Sequence, residues 1–271
     1  MLKVHWYQGD ASFGQAALVA AQAGLESIGR YIPSNLEQPV EIFIYASTGD
    51  LYSEQIPGME NWVAGHADPA LGVAMVVIAP GAQQNINMEQ HIPHELMHVM
   101  LYRRLGAGYS NLPAWLREGM ATLAEIYPNT EYDRVLADAA DNDNLIPLVD
   151  LCASFPAEAG EAFLAYAQSR SFTDYLHDTY GSAGLLSLMT TYADGVNCER
   201  GPERAFGVSL PSLEMQWRAT ALGQNTFLST LGNISPYLVL LCLVLIIPLI
   251  GILSTLRRKG NRDEPRTNVR R

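Results

Sequence analysis

HELMH, residues 94–98, is the stretch on which the reading of this chain turns. In an α-helix, residues four apart lie on one face a turn apart, so His94 and His98 aim their imidazoles at one point. Glu95 then stands beside that point without being in line for it. Two nitrogen donors with a neighbouring carboxylate suit metal-assisted hydrolysis, which needs ligands and a base for the attacking water. A solvated helix with scattered histidines would give the same letters, and His91 shows that histidines cluster here in any case.

The second informative stretch is LPAWLREGMATLAE, residues 112–125. A structural zinc site takes four protein ligands, whereas a catalytic one takes three and leaves the fourth position open. Glu118 is the expected third ligand: Trp115, Leu116, Met120 and Leu123 can anchor its helix in the core and turn the carboxylate toward the histidines. The other reading of Glu118 is an ordinary surface glutamate.

HELMH followed, after 19 intervening residues, by Glu118 inside WLREGMA resembles the gluzincin metallopeptidases, most nearly the peptidase MA-like domain and more distantly the alanyl aminopeptidases. The likeness extends through AYAQSRSFTDYL at 165–176 and GVSLPSLEMQW at 207–217. The resemblance implies a zinc ion held by His94, His98 and Glu118, with Glu95 as general base toward a zinc-bound water and a peptide or protein as substrate. It also matches Tyr166 to the tyrosine that steadies the oxyanion in such enzymes. Tyr175 and Tyr180 lie on the same predicted helix and are alternatives, and an aromatic core stripe is another reading of all three. GMENW, at 58–62, resembles the segment with which alanyl aminopeptidases hold a free amine, which would make Glu60 the amine anchor. A catalytically silent domain that binds peptides or cell-envelope polymers is the reading from a different class. The chain departs from the pattern twice. Pro93 predicts that the histidine helix starts or kinks there instead of running in from Met88. Thr122 stands where thermolysin-like enzymes carry the acidic residue that orients a histidine, which leaves the partner of His94 unassigned.

Working outward, LKVHWYQG near the start alternates like a strand, and residues 12–32 repeat apolar side chains at helical spacing behind Ser12 as the expected cap. Strands are predicted at 40–47 and 72–80. Helices are predicted at about 93–105, 113–127, 131–139, 161–179, 182–192 and 210–222, with a loop over 141–160. The expected fold class is α+β: a small N-terminal mixed sheet with a helix packed across it, about 1–85, followed by a mostly helical zincin-like part, about 86–223, within a domain spanning 1–234. The strand at 72–80, if it borders the cleft, offers an edge for strand addition by a peptide.

The composition, 48% apolar and 17% charged, is that of a folded globular protein. The net charge of −11 is unevenly distributed. The basic residues concentrate at the C-terminus, so the body before Arg257 carries roughly −16 and repels polyphosphates, which argues against nucleic acid as a partner. Residues 237–256, YLVLLCLVLIIPLIGILSTL, contain no charge and are long enough to span a bilayer core. They predict a single transmembrane helix within 235–256, with a lipid bilayer as partner. By the positive-inside rule the basic tail, 257–271, would then be cytoplasmic and the acidic domain outside. MLKVHWYQGD is not an export signal, so either the chain begins upstream of Met1 or it is tail-anchored. The first is favoured, because tail-anchoring would carry seven basic residues across the membrane. Cys152 and Cys198 read equally as a disulfide or as two free buried thiols.

Overall fold

The computed structural model of the chain describes residues 1–33, 38–52, 64–224 and 244. Residues 1–223 form one compact unit; a second unit covers 224–271, of which only Gln224 and Val244 are described.

The chain enters with β1 (Leu2–Trp6), crosses by α1 (Ala11–Ile28) to β2 (Val40–Tyr45), and passes a short α2 (Thr48–Tyr52) before a hairpin of β3 (Gly65–Asp68) and β4 (Val73–Val77). The sheet order is β1-β2-β4-β3, with β1, β2 and β4 parallel and β3 antiparallel at one edge. The mixed sheet with a helix across it is therefore present. Val40, Ile42 and Ile44 of β2 alternate inward, as do Ala74 and Val76 of β4, and this buried face receives α1 and α3. The cap of α1 is Asp10 and not Ser12: the Asp10 carboxylate accepts from the backbone N–H of Ser12 and Phe13, a reach open to the residue one place before the first turn.

The strand at 72–80 lies inside the sheet, flanked by β2 and β3, so it is not the free edge anticipated for a peptide. That edge is β3, whose sequence GHAD has no β-branched residue and forms by pairing with β4 instead of by intrinsic propensity.

The helical part holds α3 (Gln84–Leu105), a 3-10 turn (Gly106–Asn111), α4 (Ala114–Ala124), α5 (Glu131–Asp141), α6 (Ala159–Ala193), α7 (Gly201–Phe206) and α8 (Leu210–Ala221). Gly181, with φ of 69°, breaks α6 into two arms, a conformation that side chains with a Cβ rarely adopt. Trp115, Phe172, Tyr192 and Trp217 fill the centre between α4, α6 and α8 edge to face.

Contrary to the expected start at Pro93, α3 is continuous through it from Gln84. A proline there cannot bond the carbonyl four residues back, and the freed Glu89 oxygen accepts instead from Ile126 N–H at 2.9 Å and Tyr127 N–H at 3.5 Å. The proline ring packs on α1 at Gly24, where a Cβ would come within 3.0 Å of it. The break in the helix ladder is thus compensated from the residues just after α4, and the helix continues.

The expectation of a membrane-spanning helix is overturned, because among the described residues no helix is long and apolar enough to cross a membrane. The long helices carry charged side chains such as Arg103 in α3 and Arg170 and Asp174 in α6, which a bilayer core would have to bury. The apolar stretch at 237–256 and the basic tail after it lie outside the described residues, except Val244. The fold is accordingly stated without a membrane helix, and the single-pass membrane location that rested on one has no support among the described residues.

Candidate metal centre

α3 crosses behind the sheet so that its middle turns face a cleft between β3 above and α4 and α6 below. The apolar side of α3, with Met88, Ile92, Leu96 and Val99 fully buried, fixes its rotation and leaves His94, Glu95 and His98 toward the cleft. α4 brings Glu118 opposite. The start of α4 is pinned by Ala114 N–H to Cys152 O and Trp115 N–H to Leu151 O, and Trp115 is fully buried, so Glu118 one turn on has a defined direction.

Glu118 Oε2 lies 3.6 Å from His94 Nε2 and 3.5 Å from His98 Nε2, and the three donor atoms fall within 4.8 Å of one another. A tetrahedral zinc with bonds near 2.0–2.1 Å holds its ligand atoms about 3.4 Å apart, so the spacing fits such an ion. The other carboxylate oxygen, Oε1, is held away by Arg117 Nε–H at 3.2 Å. Glu118 therefore offers one oxygen to the shared point.

The partner of His94 that the sequence left open is Glu125. His94 Nδ1–H donates to Glu125 Oε1 at 2.9 Å. Glu125 stands two turns after Glu118 at the end of α4, and the Glu89–Ile126 bond next to it sets its position. Thr122 has a different role, its hydroxyl donating back to Glu118 O at 2.8 Å. On the other histidine, Tyr109 Oη lies 3.0 Å from His98 Nδ1. Both Nε2 atoms thus face Glu118 while both Nδ1 atoms are engaged from behind.

Electrostatics reinforce the pairing. Burial alone would push His94 down, but its bonds to Glu118 and Glu125 and the charges of Glu95 and Glu125 outweigh it and hold the imidazole well above its usual value. Burial would raise Glu118, yet the charge of His98 and the bonds from both histidines bring it well below the usual carboxylate range. Glu95, 7% exposed, is raised by burial against the pull of both histidines. Its carboxylate lies against β3 at Gly65, where a Cβ would meet Glu95 Oε1 and push the carboxylate aside, so glycine leaves Glu95 in this position.

Of the three tyrosines considered, Tyr166 lines the cleft, its ring centre 6.2 Å from that of His94. Tyr175 donates to Gln216 and Tyr180 stacks on Phe206; neither lines the cleft. Burial, then the charges of Glu118 and Glu95, raise the Tyr166 phenol well above 10. Glu60 lies outside the described residues. Sequence reasoning missed Tyr109, Arg117, Glu125, Tyr132 and Phe163. Only Glu125 left a signal, standing two helical turns after Glu118. Cys152 and Cys198 form a disulfide with Cα atoms 5.9 Å apart.

A cleft of about 560 Å³ in which two imidazoles and a carboxylate converge on one point, backed by a second carboxylate and a phenol, is a candidate metal site with the ligand pattern of the HExxH-plus-glutamate class. The family profile of the Peptidase MA superfamily matches residues 20–223, and the chain belongs to that superfamily. The match supports a domain of metallopeptidase type and does not extend to the alanyl aminopeptidases. No curated protein matches the sequence.

Proposed function

We propose that this domain is a zinc-dependent peptidase in which His94, His98 and Glu118 hold the metal, Glu95 is the general base, Tyr166 binds the developing oxyanion, and the substrate is a peptide or protein. The observation that carries the reading is the convergence of Glu118 Oε2 on both histidine Nε2 atoms at 3.5–3.6 Å inside a cleft, with Glu95 beside it.

When bound, zinc supplies Lewis acidity and makes hydroxide available near neutral pH. The chain's own groups do the rest. Glu125 keeps the His94 proton on Nδ1, so the lone pair of Nε2 faces the cleft; Tyr109 Oη can accept from His98 Nδ1–H to the same end. Glu95 takes the proton from the attacking water and delivers it to the leaving nitrogen as the C–N bond breaks, a role worth roughly 10²–10⁴-fold. Its raised pKa makes it a better base than an exposed glutamate. Tyr166 stays protonated across the working pH range and donates to the carbonyl oxygen as charge builds there; such a donor is worth about 10²–10³ in turnover. β3, the sheet edge at the cleft, offers main-chain groups to an extended substrate.

The test is cleavage of an internally quenched peptide library by the zinc-loaded full chain, beside Glu95→Gln and Tyr166→Phe. Cleavage abolished in Glu95→Gln with zinc retained, and reduced about a hundredfold in Tyr166→Phe, supports the reading. Zinc without cleavage of any peptide would make the domain a binding module.

A further inference from the structure

Among the described residues, Arg117 is the one lysine or arginine that lines the cleft. It directly precedes Glu118 in α4, so its guanidinium lies beside the carboxylate that faces both histidines. Its Nε–H donates to Glu118 Oε1 at 3.2 Å. A guanidinium carries five N–H donors in a planar fork, and the others sit on the two terminal nitrogens. Among the described residues those nitrogens have no hydrogen-bond partner, and Glu118 is the only carboxylate paired with Arg117. They are reached by solvent, whereas the Nε atoms of Arg170 and Arg218 are buried without a partner. Arg103 differs again, spending both terminal nitrogens on Gln38 O at 3.0 Å and Pro39 O at 2.7 Å.

Arg117 is held in a partly desolvated place, its side chain 28% exposed, where a charge is poorly served by water and one carboxylate oxygen offsets only part of the cost. Its neighbours in the cleft leave the charge to it. Tyr109 Oη is engaged with His98 Nδ1. His66 of β3 is lowered by burial, and further by the charge of His98, so it is neutral at pH 7. An incoming carboxylate has two oxygens that match the fork of the terminal nitrogens, a pairing that a single glutamate oxygen on Nε does not use up. The net charge of −11 repels polyanions, so the group that fits is a single carboxylate brought to this fixed cation.

From this geometry we infer that Arg117 binds a carboxylate of the substrate through its terminal nitrogens, which makes the domain selective for peptides that present one beside the metal-binding residues. Either a C-terminal carboxylate or the side chain of aspartate or glutamate supplies that chemistry. The inference rests on the metallopeptidase reading and deepens it by assigning a substrate class. A charge-assisted, two-point bond of this kind is worth about tenfold in affinity or more over the matching amide.

The zinc-loaded full chain is titrated by calorimetry with the monohydroxamates of succinic, glutaric and adipic acid and with the corresponding amides. Each pair shares one metal-chelating group and one tether, and differs only in ending in a carboxylate or a carboxamide. The expected result is that at least one acid binds about tenfold tighter than its amide, and that this ratio collapses in Arg117→Gln at saturating zinc. A role confined to holding Glu118 would lower acid and amide together, and a general attraction to the metal's charge would survive the substitution; both leave the ratio unchanged. Peptide pools that end in a free carboxylate or an amide, and that contain glutamate or glutamine, then identify the source. Faster cleavage of the free-carboxylate pool names the C-terminus and faster cleavage of the glutamate pool names the side chain, each preference being lost in Arg117→Gln. Equal affinity of acid and amide at every tether, a ratio unchanged in Arg117→Gln, or cleavage indifferent to both kinds of carboxylate overturns the assignment while leaving the metal-based reading in place. Failure of the protein to take up zinc or to bind any hydroxamate overturns both.

Discussion

Glu125 governs which nitrogen of His94 carries the proton, so its removal should act on the metal before it acts on chemistry. Glu125→Ala is expected to weaken zinc binding by about 10–100-fold in a chelator competition, with the fold intact by circular dichroism. Unchanged zinc affinity would mean that the 2.9 Å contact has no consequence. His91 offers a prediction about acid stability. Burial, with a contribution from the His94 charge, pulls it down from 6.5 to about 4. In the unfolded chain the imidazole takes a proton near 6.5, while the folded chain resists until about 4, so the unfolded state binds the extra proton between those values and stability falls as pH drops through that window. The penalty is on the order of 3 kcal/mol once pH is below the window. In urea unfolding at pH 7 and pH 4.5, His91→Gln should lose less stability between the two than the unsubstituted chain; an equal loss would contradict the assignment.

At this same scale the legibility of the site divides cleanly. His94, Glu95, His98 and Glu118 could be read because their placement depends on helical period within two segments. Tyr109, Arg117 and Phe163 were invisible because nothing in their spacing says which element will lie across the cleft. Glu125 was half legible: helical period places it near the face of Glu118, but the resemblance puts the acidic partner one turn after Glu118, where this chain has Thr122, and not two turns after it.

Among the elements, the join between α3 and α4 is the informative one. Pro93 looked like a helix start because the local rule forbids its bond to Glu89 O. The rule was obeyed, and the freed oxygen found Ile126 and Tyr127 instead. Pro93→Ala restores a competing N–H inside α3. It should loosen the end of α4 and weaken zinc binding by less than about tenfold while leaving helix content unchanged or raised. A loss of helix content would show instead that the ring's packing on Gly24 matters more than the hydrogen-bond exchange. β3 shows the opposite limit of sequence reading. Four residues without β-branched side chains carry no strand signal, so the edge facing the cleft was assigned to β4, the strand beside it.

For the compact unit spanning 1–223, the α+β class and the order of sheet before helices were legible, since they follow from periodicity over long segments. The membrane helix was read from apolar length alone, and no described helix has that character. The disulfide could not be decided from two cysteines 46 residues apart, because pairing is a fact of tertiary proximity. It joins the turns on either side of the buried Trp115, whose Nε1–H points at Cys198 Sγ. Replacing both cysteines by alanine should cost about 2–5 kcal/mol in urea unfolding and weaken zinc binding through the start of α4. Loss of stability without any change in zinc affinity would separate the bridge from the site.

The most direct measurement of the central claim is zinc per chain by elemental analysis of the purified full chain, taken together with peptide cleavage by the unsubstituted protein and by Glu95→Gln. The account predicts one zinc per chain in both proteins and cleavage in the first only. Absence of zinc from a folded chain, or equal cleavage by Glu95→Gln, would contradict it.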